Sequence, residues 1–301
     1  MQVKTIKRII SQKMEDWLLS ITDVNLRKRV KENLLVSGGC ITSLFQGIPV
    51  NDYDVYLQDM DVLVALAEYY YPGKVLDGRK RNQYLARIDS SYDIEDNFSM
   101  QAVRYRTLKE DQVKLDVFST GVKNENLLKD AGGALIKYQV AFVSQNAISL
   151  TDDLQIVLRF NGNAEQIHKT FDFIHATNYF TFSEGLVTNI AALESILTKT
   201  LRYQGSLYPL TSVIRMKKFI QRGWTVNAGE ILKMLFQTAD LNLRDVLVLE
   251  EQLIGVDVAY FAKLIEVLRD QDVSNITHQM LSDLIDQIFN EYEEEDPSAI
   301  Q

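Results

Sequence analysis

Cysteine, histidine and proline are all scarce in this chain. Its 301 residues include a single cysteine, Cys40, three histidines and four prolines. One cysteine excludes an internal disulfide and a cysteine-rich zinc site, and it fits a reducing compartment. Beside Gly39, Cys40 reads as a packing residue rather than a nucleophile. His168, His175 and His278 are scattered and read as structural polar groups, so zinc is not expected. No apolar run approaches the roughly 18 residues of a membrane span, and the N-terminal segment is charged and amphipathic, unlike a signal peptide. The expectation is therefore a soluble, cytoplasmic protein with no membrane partner. Positive charge is also in deficit, with 32 Lys and Arg against 41 Asp and Glu and a net charge of -9. That balance excludes a protein that coats nucleic acid nonspecifically, but it leaves room for a local basic face.

Apolar residues are ample, at 46% of the chain, and the length suits two domains. Ile6, Ile9, Ile10, Met14 and Trp17 recur at helical spacing, as do Leu26, Val30 and Leu34 after the Thr22-Asp23 break. Asp61 to Tyr71 reads as a helix closed by Pro72-Gly73. A turn with the basic cluster Arg79-Lys80-Arg81 follows, most simply a solvated loop. Residues 83–88, 100–108, 112–118, 135–150 and 154–160 are rich in β-branched and aromatic side chains, as strands and hairpins are. Phe171 to Ala176 reads as a further apolar strand. Beyond Phe182 helical faces take over, including a capping box at Asn227 and Glu230 with Val226 and Ile231 in staple positions. Glu291 to Asp296 reads as a solvated acidic tail.

One stretch carries chemistry. Leu34-Leu35-Val36 is a short buried strand stopped by Ser37-Gly38-Gly39, where glycine lets the backbone turn sharply and approach a ligand. Cys40 to Phe45 then reads as a helix, so the turn lies at a helix N-terminus, which favours phosphate. Asp52-Tyr53-Asp54-Val55-Tyr56-Leu57 follows as a strand of period two, with Asp52 and Asp54 on one face. Two carboxylates there repel unless a cation is bound, and hard oxygen donors at that spacing suit magnesium with substrate phosphates.

Gly38-Gly39 followed by Asp52-Tyr53-Asp54-Val55 resembles the nucleotidyltransferase superfamily of DNA polymerase beta, poly(A) polymerases and CCA-adding enzymes. The segments 146–173 and 208–218 resemble nucleotidyltransferases common in tailed phages and large DNA viruses, which would put the protein in the host cytoplasm. The resemblance implies an α+β fold: a mixed β-sheet catalytic core with flanking helices over residues 1–182, an all-helical domain over 183–290, and the tail 291–301. It implies transfer of a nucleoside monophosphate from a nucleoside triphosphate to a hydroxyl, an RNA 3′ end first, with release of pyrophosphate. Two Mg2+ ions, replaceable by Mn2+, would be held by Asp52, Asp54 and a third acid. Asp172 and Asp116 both lie in apolar, strand-like surroundings, and resemblance selects Asp172. Ser37, Gly38, Gly39 and Ser43 would cradle the triphosphate. The serine or threonine that often follows the first glycine of the family motif is Gly39 here.

The segment from Lys199 to Arg222 holds Lys199, Arg202, Arg215, Lys217, Lys218 and Arg222 with no acid among them, interleaved with Tyr203, Tyr208 and Phe219. Charge for phosphates beside rings for bases suggests nucleotide contacts through Lys199, Tyr208, Ser212, Arg215 and Lys218, with RNA as a further partner. The rival reading is a catalytically silent protein of the same fold that binds nucleic acid or builds a viral particle. Base preference, acceptor and oligomeric state are not encoded in any motif.

Overall fold

A computed structural model describes residues 1–83, 85, 108–117, 121–243, 245–252 and 277–295. The fold is α+β with a mixed sheet and a helical C-terminal part. Contacts divide the chain into two compact units, one of residues Met1–Thr170 with His175–Leu197, the other of Phe171–Ile174 with the chain from Thr198 on.

The first unit is built on eight strands: β1 (Leu34–Ser37), β2 (Tyr53–Leu57), β5 (Val122–Lys123), β6 (Val140–Val143), β7 (Ala147–Leu150), β8 (Leu154–Val157), β9 (Tyr179–Thr181) and β10 (Gly185–Val187). Their order across the sheet is β10-β9-β1-β2-β8-β7-β6-β5. All neighbours run antiparallel except β2 and β8, which are parallel. Two further strands, β3 (Val75–Asp77) and β4 (Val113–Leu115), pair in a small sheet of their own.

Strand alternation sends Leu34, Val36, Val55, Leu57, Ile148, Ile156 and Phe180 into one core. That core is capped by α1 (Val3–Ser20), α2 (Val24–Asn33), α3 (Gly39–Gln46) and α4 (Met60–Tyr70). The i, i+4 spacing expected of α1 is what buries Ile6, Ile10, Met14 and Trp17 completely, each worth about 1.5–3 kcal/mol. Trp17 also donates its Nε1–H to Tyr70 Oη at 2.9 Å. Asp23 and Asp59 stop the preceding chain and start α2 and α4 by accepting backbone N–H groups of the first turn. Asn163 and Gln166 form a reciprocal capping box on α5 (Ala164–His168), and α6 (Ile190–Thr198) follows β10.

In the second unit, α7 (Pro209–Gln221), α8 (Ala228–Ala239), α9 (Val246–Gln252) and α10 (His278–Glu295) follow one another. Its core includes a chain of edge-on rings, Phe173 against Tyr203 and Phe219, and Phe219 against Trp224. The expected box on α8 is half formed. Asn227 accepts from the Glu230 N–H at 3.0 Å, but the Glu230 carboxylate turns to the Tyr203 N–H and to Lys233. The expected acidic tail is helical as far as Glu295, since glutamate is a good helix former.

One expected strand is corrected, and the one expected at 112–118 is shorter, ending at Leu115. Phe171–Ala176 is not a strand: Asp172 sits in a bend and accepts the N–H of Phe173 at 3.0 Å, and a 3-10 turn covers Ile174–Ala176. A short acidic side chain that bonds the neighbouring N–H competes with the ladder for that donor. Asp116 stands just past β4, which pairs with β3 rather than with a strand of the large sheet, and its N–H donates to the Lys74 carbonyl at 2.7 Å. The expected strands at 83–88 and 100–108 lie almost wholly outside the described residues, as do the helical face at 261–268 and residues 296–301.

Candidate active site

The site face is the side of the large sheet opposite the main core. In register across it stand Tyr179 of β9, Ser37 of β1, Asp54 of β2, Gln155 of β8 and Ser149 of β7. Asp52 precedes β2 by one residue, and alternation places it on the side of Asp54. At the start of β2, Tyr53 donates its N–H to the Asp153 carbonyl at 2.8 Å. Asp52 is exposed and Asp54 half-buried, while Tyr53 and Val55 fill the core behind them.

The turn from β1 into α3 is packed against this pair. Gly38 has φ 98° and ψ -150°, a conformation essentially reserved for glycine. A Cβ there would stand 3.3 Å from Asp54 Oδ2. Gly39 opens α3; it is exposed, and a Cβ on it would meet no other atom within 4 Å. The first-turn N–H groups of α3 have no acceptor within the helix, and the macrodipole adds partial positive charge beside the carboxylates.

The turn is also held from behind by residues 175–178. Gly38 N–H donates to the Ala176 carbonyl, and Thr42 Oγ1 donates to the His175 carbonyl at 3.0 Å. Ser37 is fully buried, with its Oγ 2.8 Å from the Asn178 carbonyl and 2.9 Å from His168 Nε2. A serine hydroxyl has one proton, so donation to Asn178 requires that His168 donate from Nε2 to Ser37. Burial pushes the His168 imidazole down to about 4, so it is neutral at physiological pH. The Ser37 hydroxyl is thus committed to the fold beneath the turn, while Ser43, half-buried, lies one turn into α3. Cys40 is buried, and burial first, then Asp54 and Asp52, push its thiol far above the usual range.

In the second unit the structure brings Asp172, Tyr203, Tyr208, Ser212 and Arg215 together. Arg215 Nη1 lies 3.1 Å from Asp172 Oδ2, so the acid for this basic segment comes from outside it. Ser212 is fully buried and donates to the Tyr208 carbonyl at 3.2 Å. Burial raises the Tyr203 phenol to about 12; a hydrogen bond with Ser212 opposes this and the charge of Asp172 adds to it. Lys199 and Lys218 are exposed, Lys199 with a left-handed φ of 48° and its carbonyl held by the Thr225 N–H. In the first unit, Arg79 is bound by Asp77 and Asp61 at 2.8 and 2.6 Å, which makes it a brace for the turn after β3. Gln155 and His168 are the site-side residues that sequence reasoning did not single out as part of the site. A search for acids passes over the first, and nothing local ties the second to Ser37.

Residues 8–199 match the sequence profile of Gad2, the Gabija anti-defense 2 family. The chain belongs to the Gad2 family. A curated Gad2 relative, Gabija anti-defense 2 of Bacillus phage SPbetaL7, is 25% identical over 122 residues, which is 40% of this chain and 30% of that protein. The match thus spans about a third of the relative's length. Among solved structures, a Thermotoga maritima CCA-adding enzyme complexed with tRNA has a TM-score of 0.37 at 13% identity, covering 91% of this chain and 53% of its own. A tRNA-processing enzyme with CTP has a TM-score of 0.37 at 12% identity, covering 81% and 54%. No helix among the described residues is long and apolar enough to cross a membrane. Among the same residues no group of three or more His, Cys, Asp and Glu side chains is placed to hold a metal.

Proposed function

We propose that this Gad2 protein is a metal-dependent nucleotidyltransferase that moves a nucleoside monophosphate from a nucleoside triphosphate to a hydroxyl acceptor. The observation that carries this reading is the packing of the Gly38 turn onto Asp54, which sets the N-terminus of α3, opened by the exposed Gly39, beside a motif carboxylate. That arrangement suits a triphosphate accompanied by a divalent cation. The donor set fits magnesium: Asp52 and Asp54 supply hard anionic oxygens, and substrate phosphates commonly complete such a shell. When bound, the ion would neutralise phosphate charge and favour loss of pyrophosphate.

The protein's own contribution is to hold and orient. Gly39 and the first turn of α3 donate to phosphate oxygens, and the pair Ser37 and His168 keeps that turn in place. Tyr53 and Val55, buried behind the carboxylates, fix the direction in which Asp52 and Asp54 point. Lys199 and Lys218, exposed in the helical unit, are proposed to contact the backbone of an RNA acceptor. The role of Asp172 as a third acid rests on resemblance and is tested below. The family name suggests that transfer serves to counter Gabija defence.

The test is to incubate the purified protein with each labelled nucleoside triphosphate, Mg2+ or Mn2+ and a mixed RNA pool, measuring label transfer and pyrophosphate. Asp54→Asn is the control. Transfer by wild type and its loss in Asp54→Asn are expected; equal label incorporation by both overturns the reading. One observation favours the silent alternative: β8, the parallel neighbour of β2, has the sequence Leu-Gln-Ile-Val and brings no acid into register with Asp54. Nucleotide binding without pyrophosphate release would select it.

A further inference from the structure

The parallel pairing of β2 with β8 decides what can stand beside the carboxylate pair. Partners in adjacent strands lie about 4.8 Å apart and point their side chains to the same face. Asp54 is in register with Gln155. Gln155 is half-buried, and its Nε2 lies 3.2 Å from Ser149 Oγ on β7, the strand beyond. The side chain is therefore anchored at one end and placed in the row of the site.

We propose that Gln155 is the third oxygen donor of this site, a neutral amide in the place nearest Asp54, and that it lets the protein itself hold one divalent ion tightly rather than two. The inference rests on the metal site assigned to Asp52 and Asp54. With Nε2 bonded to Ser149, the amide oxygen is turned away from β7. Ser149 has a hydroxyl that both donates and accepts, so it can anchor either end of the amide. With the amide flipped, so that Oε1 accepts from Ser149, Gln155 would present its NH2 to the Asp54 carboxylate, whereas the orientation seen, with Nε2 on Ser149, leaves its oxygen for a cation. A carboxylate at this position cannot do the first, because it adds a third negative charge to two that already repel.

The test uses full-length protein and Mn2+ alone as the probe, with binding followed by electron paramagnetic resonance and stability by thermal melts with and without the ion. Wild type should bind one Mn2+ per chain, and Gln155→Ala should weaken that binding by about three- to tenfold, as loss of one neutral oxygen ligand. Gln155→Glu should tighten it by at least about tenfold or add a second ion. It should also melt lower than wild type without Mn2+ and recover with it, a crossover that a purely structural glutamine would not give. If Asp54→Ala abolishes binding while Gln155→Glu and Gln155→Ala bind as wild type, Gln155 is not a donor and the metal site stands. If Asp54→Ala binds as wild type, the metal site itself fails.

Discussion

Gly38 and Asp54 are fitted to each other: the missing side chain of the first leaves 3.3 Å between a would-be Cβ and Oδ2 of the second. The next residue, Gly39, has no such constraint, and the contrast separates the fold from the ligand. Gly38→Ala should lower stability by about 1–3 kcal/mol through backbone strain at positive φ and pressure on Asp54. Gly39→Ala should melt within about 1 kcal/mol of wild type, yet bind nucleoside triphosphate more weakly if phosphate approaches the exposed turn. Thermal melts paired with nucleotide titration check both, and unchanged binding in Gly39→Ala removes phosphate from that turn.

A second prediction concerns acid. The imidazole of His168 is depressed by burial to about 4, below its ordinary value of about 6.5. The unfolded chain therefore binds a proton at a pH where the folded protein does not. This contribution is fully present above about pH 6.5 and is lost as pH falls toward 4, by about 1–2 kcal/mol after allowance for partial exposure. His168→Gln keeps an N–H donor for Ser37 and should flatten the slope in that window. Melting temperature against pH for both proteins is the measurement, and parallel curves refute the prediction.

The ion pair of Arg215 and Asp172 permits a third. Asp172 is 9% exposed, so Arg215→Ala leaves a nearly buried carboxylate without its cation, at a cost of about 1–2 kcal/mol. Asp172→Asn retains an acceptor for the Phe173 N–H and should cost less. The double variant, which no longer buries an unpaired charge, should be more stable than Arg215→Ala alone and close to Asp172→Asn, which a double-mutant cycle of denaturant midpoints measures. The same variants examine the third-acid role: a turnover loss of at least about 100-fold in Asp172→Asn with no loss of stability would establish it, and retained turnover would leave Asp172 as an anchor for α7.

Cys40 supplies a fourth. Burial is the leading cause of its raised thiol, ahead of Asp54 and Asp52. Iodoacetamide at pH 8 should therefore leave native protein unlabelled and modify the denatured chain fully, as read by intact mass. Asp54→Asn should not restore reactivity, since it removes only a secondary cause. Labelling of native Asp54→Asn would show that charge rather than burial protects the thiol.

The stretch from Leu34 to Leu57 was legible because its signals are local: a period-two strand, a glycine turn and a short helix follow from neighbouring residues. The helices of the first unit were legible for the same reason, from their apolar spacing, while the caps Asp23 and Asp59 came from the structure. Asp172 shows where local reading stops. Phe-Asp-Phe has the alternation of a strand, but the carboxylate takes the Phe173 N–H and pairs with Arg215, 43 residues on. Gln155 was hidden differently. Its strand was visible, but nothing in Leu-Gln-Ile-Val says that β8 lies parallel to β2, so the position beside Asp54 was sought among acids only. Ser37 was read as a phosphate ligand from its place beside Gly38, whereas His168 and Asn178, far along the chain, draw its hydroxyl inward.

That distance has a consequence for synthesis. The hydroxyl of Ser37 is bonded to a carbonyl 141 residues later, and β1 gains its second neighbour only when β9 emerges. Until then the growing chain carries β1 as an open edge next to the glycine turn, a state prone to pairing with other chains. Completion of the sheet depends on contacts between distant segments, which slows folding. A nascent chain halted before residue 175 would contain both motif carboxylates and neither the strand nor the carbonyls that pin the turn. Competence for nucleotide should therefore appear late, when residues 175–181 have left the ribosome.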